Sequence, residues 1–405
     1  MVMGTDTDTG TVITMKKSSE APKSGYWSMR FQLGLVRMVH LFGNSLLGLA
    51  RLLLFRPVRH PGRILIFRTG SFGDSLCAIP AIRSVRKGFP EAQIVLLTNT
   101  GHPGQQLVSI DQLLPDGVVD EVFQYEGVSR PTLIRNLRRR RFDAVIQLPQ
   151  YNAPWYRLLR DMVIFRLFCR ITTGFGWQWD HIHFFCKVQE SAGPAENERQ
   201  RLLNLLARNG VEPLPESAFA LPLTEQDRRI AAIRLQELPQ PEKPVIGMVV
   251  GAKRPQNRWP LAYFEAVCRH FTPGFNIVLI GGPDDRALAG LLQKHDGVYS
   301  LCGALSPMQN AWIMKNCRLI LANDTGPMHL AYAVGAPLIA LFSARDLPGR
   351  WYPPAEPSNL VFRQAGIPCS VCLSETCNDN ICMKNIKPDA VIAAMNQLLQ
   401  EPDAC

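Results

Sequence analysis

The chain has no run of the ~20 uncharged apolar residues that a membrane-crossing helix requires. In the strongly apolar stretch Met29 to Phe55, the longest interval without Lys, Arg, Asp or Glu is Met38 to Ala50. Nor is a secretory signal expected. The apolar part starts late, and Arg51 to Arg63 offers no small-residue cleavage site. Zinc-finger spacing, a basic helix with heptads and an aromatic-rich strand of the RNA-recognition type are all missing. The formal net charge of +10 is therefore not organised as in a nucleic-acid module, and no nucleic-acid partner is expected. The glycine-rich turn Gly70 to Gly73 lacks both the full G-x-G-x-x-G spacing and the Walker lysine, which counts against a dinucleotide oxidoreductase. There is no internal sequence repeat.

What is present is a chain of 405 residues with 46% hydrophobic content, enough for large cores and most simply two domains plus an extension. Residues 1–28 begin rich in Thr, Ser, Lys and Gly and are expected to be a disordered tail. Residues 29–57 read as an apolar helix punctuated by Arg30, Arg37, Arg51 and Arg56. Such a segment fits a membrane-surface anchor, with arginines at the headgroups, and fits equally a helix packed on the first domain.

Arg63 to Arg68 is a short apolar strand, Thr69 to Ser75 a glycine-rich turn, and Leu76 to Arg86 a helix with Pro80 near its first turn. Ile94 to Leu97, Val118 to Phe123 and Ala144 to Leu148 read as further parallel strands. Residues 62–222 thus form a Rossmann-like domain. Residues 223–243 are a proline-closed linker containing a helix-like Glu225 to Leu235. Val245 to Val250 opens a second Rossmann-like domain over 244–405, continued by Asn276 to Ile280. Cys317 to Ala322 is another apolar run. It delivers Asn323-Asp324-Thr325-Gly326-Pro327-Met328-His329 to the carboxyl end of a strand, where open α/β sheets bind ligands. A helix starting near Thr325 points free amides and its positive dipole end at an anion such as a diphosphate.

Gly73-Asp74 with Pro80-Ala81, then Arg258-Trp259-Pro260, Gly281-Gly282-Pro283 and Asp324 to His329 appear in the order found in glycosyltransferase family nine, the heptosyltransferases of lipopolysaccharide core synthesis. The chain resembles that family from about Gly62 to about Leu399. The resemblance implies a GT-B architecture, two doubly wound α/β domains facing a central cleft. It also implies inverting transfer of a heptose from an ADP-sugar to the lipopolysaccharide inner core by a cytoplasmic protein.

Asp74 matches the family's base. Asp324, Thr325, Gly326, Pro327 and His329 match its donor-binding motif, with Asp285 in the intervening glycine turn. The family's lysine before Arg-Trp-Pro is here Asn257, which leaves the diphosphate contact to Arg258, Lys253 or Arg254. Ser71, Phe72 and Gly73 beside the base, with Tyr151, Trp155 and Arg157, are acceptor candidates, since rings stack on sugars and guanidinium forks bind phosphates. The basic helix Leu133 to Arg141 fits a solvated helix end or a binding patch. The net charge suits a nucleotide sugar, an anionic glycolipid acceptor and a membrane surface. No catalytic cofactor is expected, because cations and a helix dipole can neutralise the leaving group.

Of eleven cysteines, Cys77, Cys169, Cys186, Cys268, Cys302 and Cys317 sit in apolar runs and read as buried thiols. Cys369, Cys372, Cys377 and Cys382 are spaced for a structural zinc, for two disulfides or for plain reduced thiols.

Overall fold

The computed structural model describes residues 12–15, 26–99, 109–180, 194–215 and 217–400. The chain divides into two compact units, one of residues 21–220 and one of residues 1–20 with 221–405. His181 and Cys186 lie outside the described residues.

The first described segment, β1 (Val12–Met15), pairs in parallel with Val361–Gln364 at the edge of the C-terminal unit's sheet. The expected disordered tail of residues 1–28 is therefore interrupted. A strand needs only an open edge to pair with, and its flanking Thr and Lys residues give no sign of one. Helix α1 (Tyr26–Leu54) begins three residues ahead of the expected segment. It packs through Leu47 and Phe55 beyond its end, both buried, and through Asn44, which exchanges two hydrogen bonds with the backbone of Trp179. A Cβ on Gly43 would lie 2.5 Å from the Trp179 ring, so helix and indole meet there only because the residue is glycine. The packed-helix reading of this segment holds for that face. Among the described residues no helix is long and apolar enough to cross a membrane.

The N-terminal sheet follows as β2 (Arg63–Phe67), β3 (Gln93–Thr98), β4 (Glu121–Gln124), β5 (Ala144–Gln147) and β6 (Thr173–Phe175), all parallel in the order β4-β3-β2-β5-β6. Ile64, Leu65 and Ile66 are fully buried, as expected where helices cover both faces of a parallel sheet. Helix α2 (Phe72–Gly88) starts earlier than its apolar pattern suggests. Asp74 at its first turn accepts hydrogen bonds from the Ser71 amide and hydroxyl, which fixes the start. Pro80 consequently lies in the helix interior, and Ser84 Oγ donates to its carbonyl at 2.7 Å. Helices α3 (Arg130–Arg139) and α4 (Trp155–Val163) follow, a π-helical turn, Ile164–Phe168, prolongs α4, and a further helix, Glu198–Ala207, packs on α2.

The C-terminal sheet contains β7 (Val245–Val249), β8 (Asn276–Leu279), β9 (Val298–Ser300), β10 (Leu319–Asn323), β11 (Leu338–Phe342) and β12 (Asn359–Gln364). Its order is β1-β12-β11-β10-β7-β8-β9. The expected linker contains the ordered helix Glu225–Gln236, started by reciprocal Thr224 and Asp227 bonds and belonging to this unit.

Both sheets are doubly wound. Each has one place where consecutive crossovers run in opposite directions, between β2 and β5 in the first and between β7 and β10 in the second. Ligands of open α/β sheets bind at the carboxyl ends of such a strand pair.

Candidate active site

At the N-terminal switch point, the turn after β2 carries Ser71 to Asp74. Asp74 Oδ2 is 2.8 Å from the Ser71 amide and 2.7 Å from its hydroxyl. Its Oδ1 has Arg68 Nη2 as neighbour at 4.0 Å. The same Arg68 nitrogen donates to the Asp74 carbonyl at 2.9 Å. Asp74 thus caps its helix with one oxygen and turns the other toward a cation. Gly70 permits this, since a Cβ there would stand 2.4 Å from Asp74 Cβ. Asn99, at the end of β3, holds Gly70 by both amide and carbonyl.

Arg68 is 1% exposed. A buried guanidinium requires a counter-charge, which Glu198 supplies at 3.3 Å. Glu198 also accepts from Arg201 at 2.7 and 2.9 Å, and Arg201 pairs with Asp180 at 2.5 Å. Burial alone would lower the Arg201 pKa; Glu198 and Asp180 outweigh it and hold the guanidinium above its ordinary range. Glu198, 130 residues from Arg68 in the chain, had no local signal in the sequence as its partner. At the end of β5, Gln147 donates to Asp161, whose carboxyl is raised by burial and held down by Arg160 and Gln147.

Of the acceptor candidates, Ser71 is engaged with Asp74, Phe72 opens α2, and Gly73 is buried within it. Tyr151, Trp155 and Arg157 lie beyond the carboxyl end of β5, the same edge of the sheet as Asp74. Trp155 is 46% exposed and meets Tyr156 edge to face.

At the C-terminal switch point, two loops flank the sheet's carboxyl edge, one after β7 and one after β10. Asn323 ties them together, accepting from the Trp259 amide at 3.0 Å and donating to the Val250 carbonyl at 2.9 Å. Asn257 adds a second tie. Its Nδ2 donates to Asp324 Oδ2 at 2.9 Å and to the Asp324 carbonyl at 3.1 Å, while Ser343 Oγ donates to its Oδ1. Where the family resemblance puts a lysine, this chain has a neutral crosslink. Asp324 is consequently short of charge compensation. Burial, reinforced by Asp346, pushes its carboxyl from 3.8 to about 7 against the pull of Arg254, Arg345 and Asn257.

Thr325 is extended, with φ −158° and ψ 168°, and leads into the helix Gly326–Ala333, with Pro327 in its first turn. The Thr325 and Gly326 amides precede the first bond of this helix, from the Met328 amide to the Thr325 carbonyl at 3.1 Å, and such leading amides are the ones a helix start offers to an anion. His329 is buried, shares a 2.7 Å hydrogen bond with Tyr332 Oη and meets Trp351 edge to face. Of the candidate cations, Arg258 donates Nε to the Ala252 carbonyl, and Lys253 and Arg254 are exposed. Arg254 and Arg345 both reach Glu375, at 3.4 and 3.1 Å. Sequence reasoning did not single out Arg345. Asp285 faces the other side of the β7 loop, its Oδ2 accepting from the Gly282 amide. Its carboxyl fills the space beside Gly251 and Gly281, where a Cβ would come within 1.7 and 2.4 Å of it. Burial raises the Asp285 pKa, while the Gly282 bond and Arg258 lower it.

The cysteine-bearing loop is fastened to this site. Arg345 donates to the Leu373 and Ser374 carbonyls, and Asn380 donates to the Arg258 carbonyl. Cys369, Cys372, Cys377 and Cys382 are free thiols, only the last buried. Burial and the Cys369 and Cys377 thiols raise Cys382. Among the described residues no three His, Cys, Asp or Glu side chains gather as a metal would require.

The sequence profile of glycosyltransferase family 9 (heptosyltransferase) matches residues 130–382. The chain belongs to this family. Among curated family relatives, lipooligosaccharide heptosyltransferase 2 of Campylobacter jejuni is 26% identical over 39% of this chain and 52% of its own length. Lipopolysaccharide heptosyltransferase 1 of Pseudomonas aeruginosa is 22% identical over 84% of this chain and 99% of its own length. The chain thus spans about half the length of the first of these relatives. Among solved structures, a family 9 glycosyl transferase from Veillonella parvula gives a TM-score of 0.66 at 20% identity, covering 86% of this chain and all of its own. The ADP-heptose lipopolysaccharide heptosyltransferase II of E. coli gives 0.60 at 22% identity, covering 83% and 98%. At these identities the likeness establishes the fold, two parallel-sheet α/β domains of the GT-B class.

Proposed function

We propose that this family 9 chain is an inverting glycosyltransferase that moves a heptose from an ADP-heptose to the lipopolysaccharide inner core at the cytoplasmic membrane face. The observation that carries the reading is that each sheet's switch point bears one carboxylate-containing family motif, Asp74 in the first unit and Asp324 to His329 in the second. Inversion is a single displacement. It needs a base on the acceptor hydroxyl and stabilisation of the departing diphosphate.

Asp74 is suited to the first task. Ser71 fixes its rotamer through Oδ2, and Oδ1 is left free of side-chain hydrogen bonds among the described residues, with Arg68 Nη2 at 4.0 Å. The acceptor proton passes to Oδ1 as the hydroxyl oxygen bonds the anomeric carbon and the bond to ADP breaks. The leaving diphosphate falls to the first turn of the Gly326–Ala333 helix, with Thr325 and Gly326 offering amides. Lys253, Arg254 and Arg258 of the facing loop supply charge. Asp285 and His329 shape the site from beneath. Tyr151, Trp155 and Arg157 take the acceptor. No cofactor has a role in these steps.

A second reading keeps the chemistry and changes the donor sugar or acceptor. It is favoured by Asn257, which alters the charge next to the donor motif. Incubation with ADP-heptose and a deacylated core acceptor, beside a panel of other nucleotide sugars, separates the two. Product from ADP-heptose alone supports the first reading, product from another donor supports the second, and no product with any donor opposes the first and leaves only a change of acceptor in the second.

A further inference from the structure

Helix α1 has two apolar faces. His40, Gly43, Asn44 and Leu47 turn inward on the domain. Met38, Leu41, Phe42, Leu49, Leu52 and Leu53 turn outward, the last two 78% and 77% exposed. At ~100° per residue the outward six fall within an arc of about 120°, opposite the packed face. A contiguous exposed apolar stripe of this kind marks an interaction surface rather than scattered surface leucines.

The stripe runs into a second feature. Arg166, in the π-helical turn after α4, donates to the Leu54 carbonyl at the end of α1. The next two residues, Leu167 and Phe168, are 59% and 52% exposed. Phe168 also lines an open groove of about 1120 Å³ whose walls carry Arg130, Arg135, Arg138, Arg139, Arg141 and Arg170. In the run Arg138 to Arg141, only Arg140 has a carboxylate partner among the described residues, Glu121. None of the six groove arginines forms an ion pair with the described residues. Two of them, Arg141 and Arg170, have left-handed backbones with φ 51° and 64°, a conformation that suits glycine and costs other residues. The groove lies at the amino-terminal edge of the sheet, beside Phe142-Asp143 and Thr172 just before β5 and β6. That edge is opposite the one bearing Asp74, so the arginines are not part of the site described above.

We propose that the outward face of α1 and the arginine groove form one surface that docks on an anionic membrane leaflet. The apolar side chains enter the acyl boundary, and the arginines hold lipid phosphates. Charge complementarity selects this occupant: a stripe joined to six cations without ion-pair partners among the described residues fits anionic headgroups over apolar chains, whereas a second copy would bring six more cations to the same place. The inference extends the membrane location in the proposed function, but its test reads no sugar transfer, so either can fail without the other.

The test is flotation of the full chain with vesicles of phosphatidylcholine alone and of equal parts phosphatidylcholine and phosphatidylglycerol. The chain is expected to float with the anionic vesicles, to remain behind with the neutral ones, and to be released by high salt. The triple variant Arg138→Gln, Arg139→Gln, Arg141→Gln is expected to lower partitioning about a hundredfold, at the usual gain per basic residue near such a surface. Leu52→Ser with Leu53→Ser is expected to lower it as well. The vesicle comparison needs no variant, so a misfolded mutant leaves the proposal exposed to refutation. Equal binding to both vesicle types, no binding to either, or undiminished binding by a folded triple variant overturns it. So does a dimer in sedimentation that the leucine pair abolishes while vesicles are ignored; the stripe then belongs to a second copy.

Discussion

Asp324 offers a quantitative test of the proposed donor site because its carboxyl is displaced from 3.8 to about 7. An acid whose folded pKa is raised favours the folded state while protonated. Its contribution is fully present below the unfolded pKa and is lost as pH rises through the folded one. A displacement of roughly three units corresponds to at most ~4 kcal/mol, and residual solvent screening reduces it.

Asp324→Asn keeps an acceptor for Asn257 Nδ2 and removes the charge. The variant's stability relative to the parent is therefore expected to rise between pH 5 and 7, by up to ~1.4 kcal/mol per unit, and to level off above. Denaturant unfolding of both proteins at several pH values measures this. Calorimetric ADP titration adds a second reading, since a diphosphate next to an ionised Asp324 is repelled. The parent-to-variant ratio of Kd should grow from pH 6 to pH 8, and ADP's own titration cancels in that ratio. A stability difference and a Kd ratio that are both flat across this range would show that Asp324 titrates as an ordinary carboxylate and that the environment argued for it is wrong.

Other substitutions probe the remaining contacts. Gly70→Ala puts a methyl 2.4 Å from Asp74 Cβ, so turnover should fall at least tenfold with ADP affinity unchanged; an unimpaired enzyme would mean that the turn yields freely. Glu198→Gln leaves Arg68 and Arg201 without their shared carboxylate and should cost ~3 to 5 kcal/mol in denaturant unfolding, whereas a loss under ~1 kcal/mol would mark the network as dispensable. For the diphosphate contact, Arg258→Ala is expected to weaken ADP binding by ~1.5 to 3 kcal/mol and Lys253→Ala by less. A neutral Arg258→Ala beside a damaging Arg254→Ala would shift the contact to the arginine near Asp324.

The buried strands were legible because parallel sheets covered on both faces demand continuous apolar runs, as in Ile64 to Ile66 and Ala144 to Ile146. The three-residue β6 and β9 were too short for any periodic signal. β1 was hidden for a different reason: Val12 to Met15 is a strand only because β12 presents an open edge far along the chain. The motif carboxylates Asp74 and Asp324 could be found locally. Their partners could not, since Glu198 and Arg201 reach Asp74 only through Arg68 and the fold brings them there. Asn257 was read as a missing cation. Its three hydrogen bonds give it a positive role, joining the loops on which the donor motif stands.

In the proposed reaction Asp74 removes the acceptor proton while the C-terminal unit separately holds the donor. Transfer from ADP-heptose to a deacylated core acceptor by the parent and by Asp74→Asn, with ADP affinity measured on the same preparations, tests it most directly. The expected result is an inverted product from the parent and a loss of turnover of ~10²-fold or more in the variant, with the ADP Kd unchanged. Near-normal turnover by Asp74→Asn, or a retained anomeric configuration in the product, would contradict it.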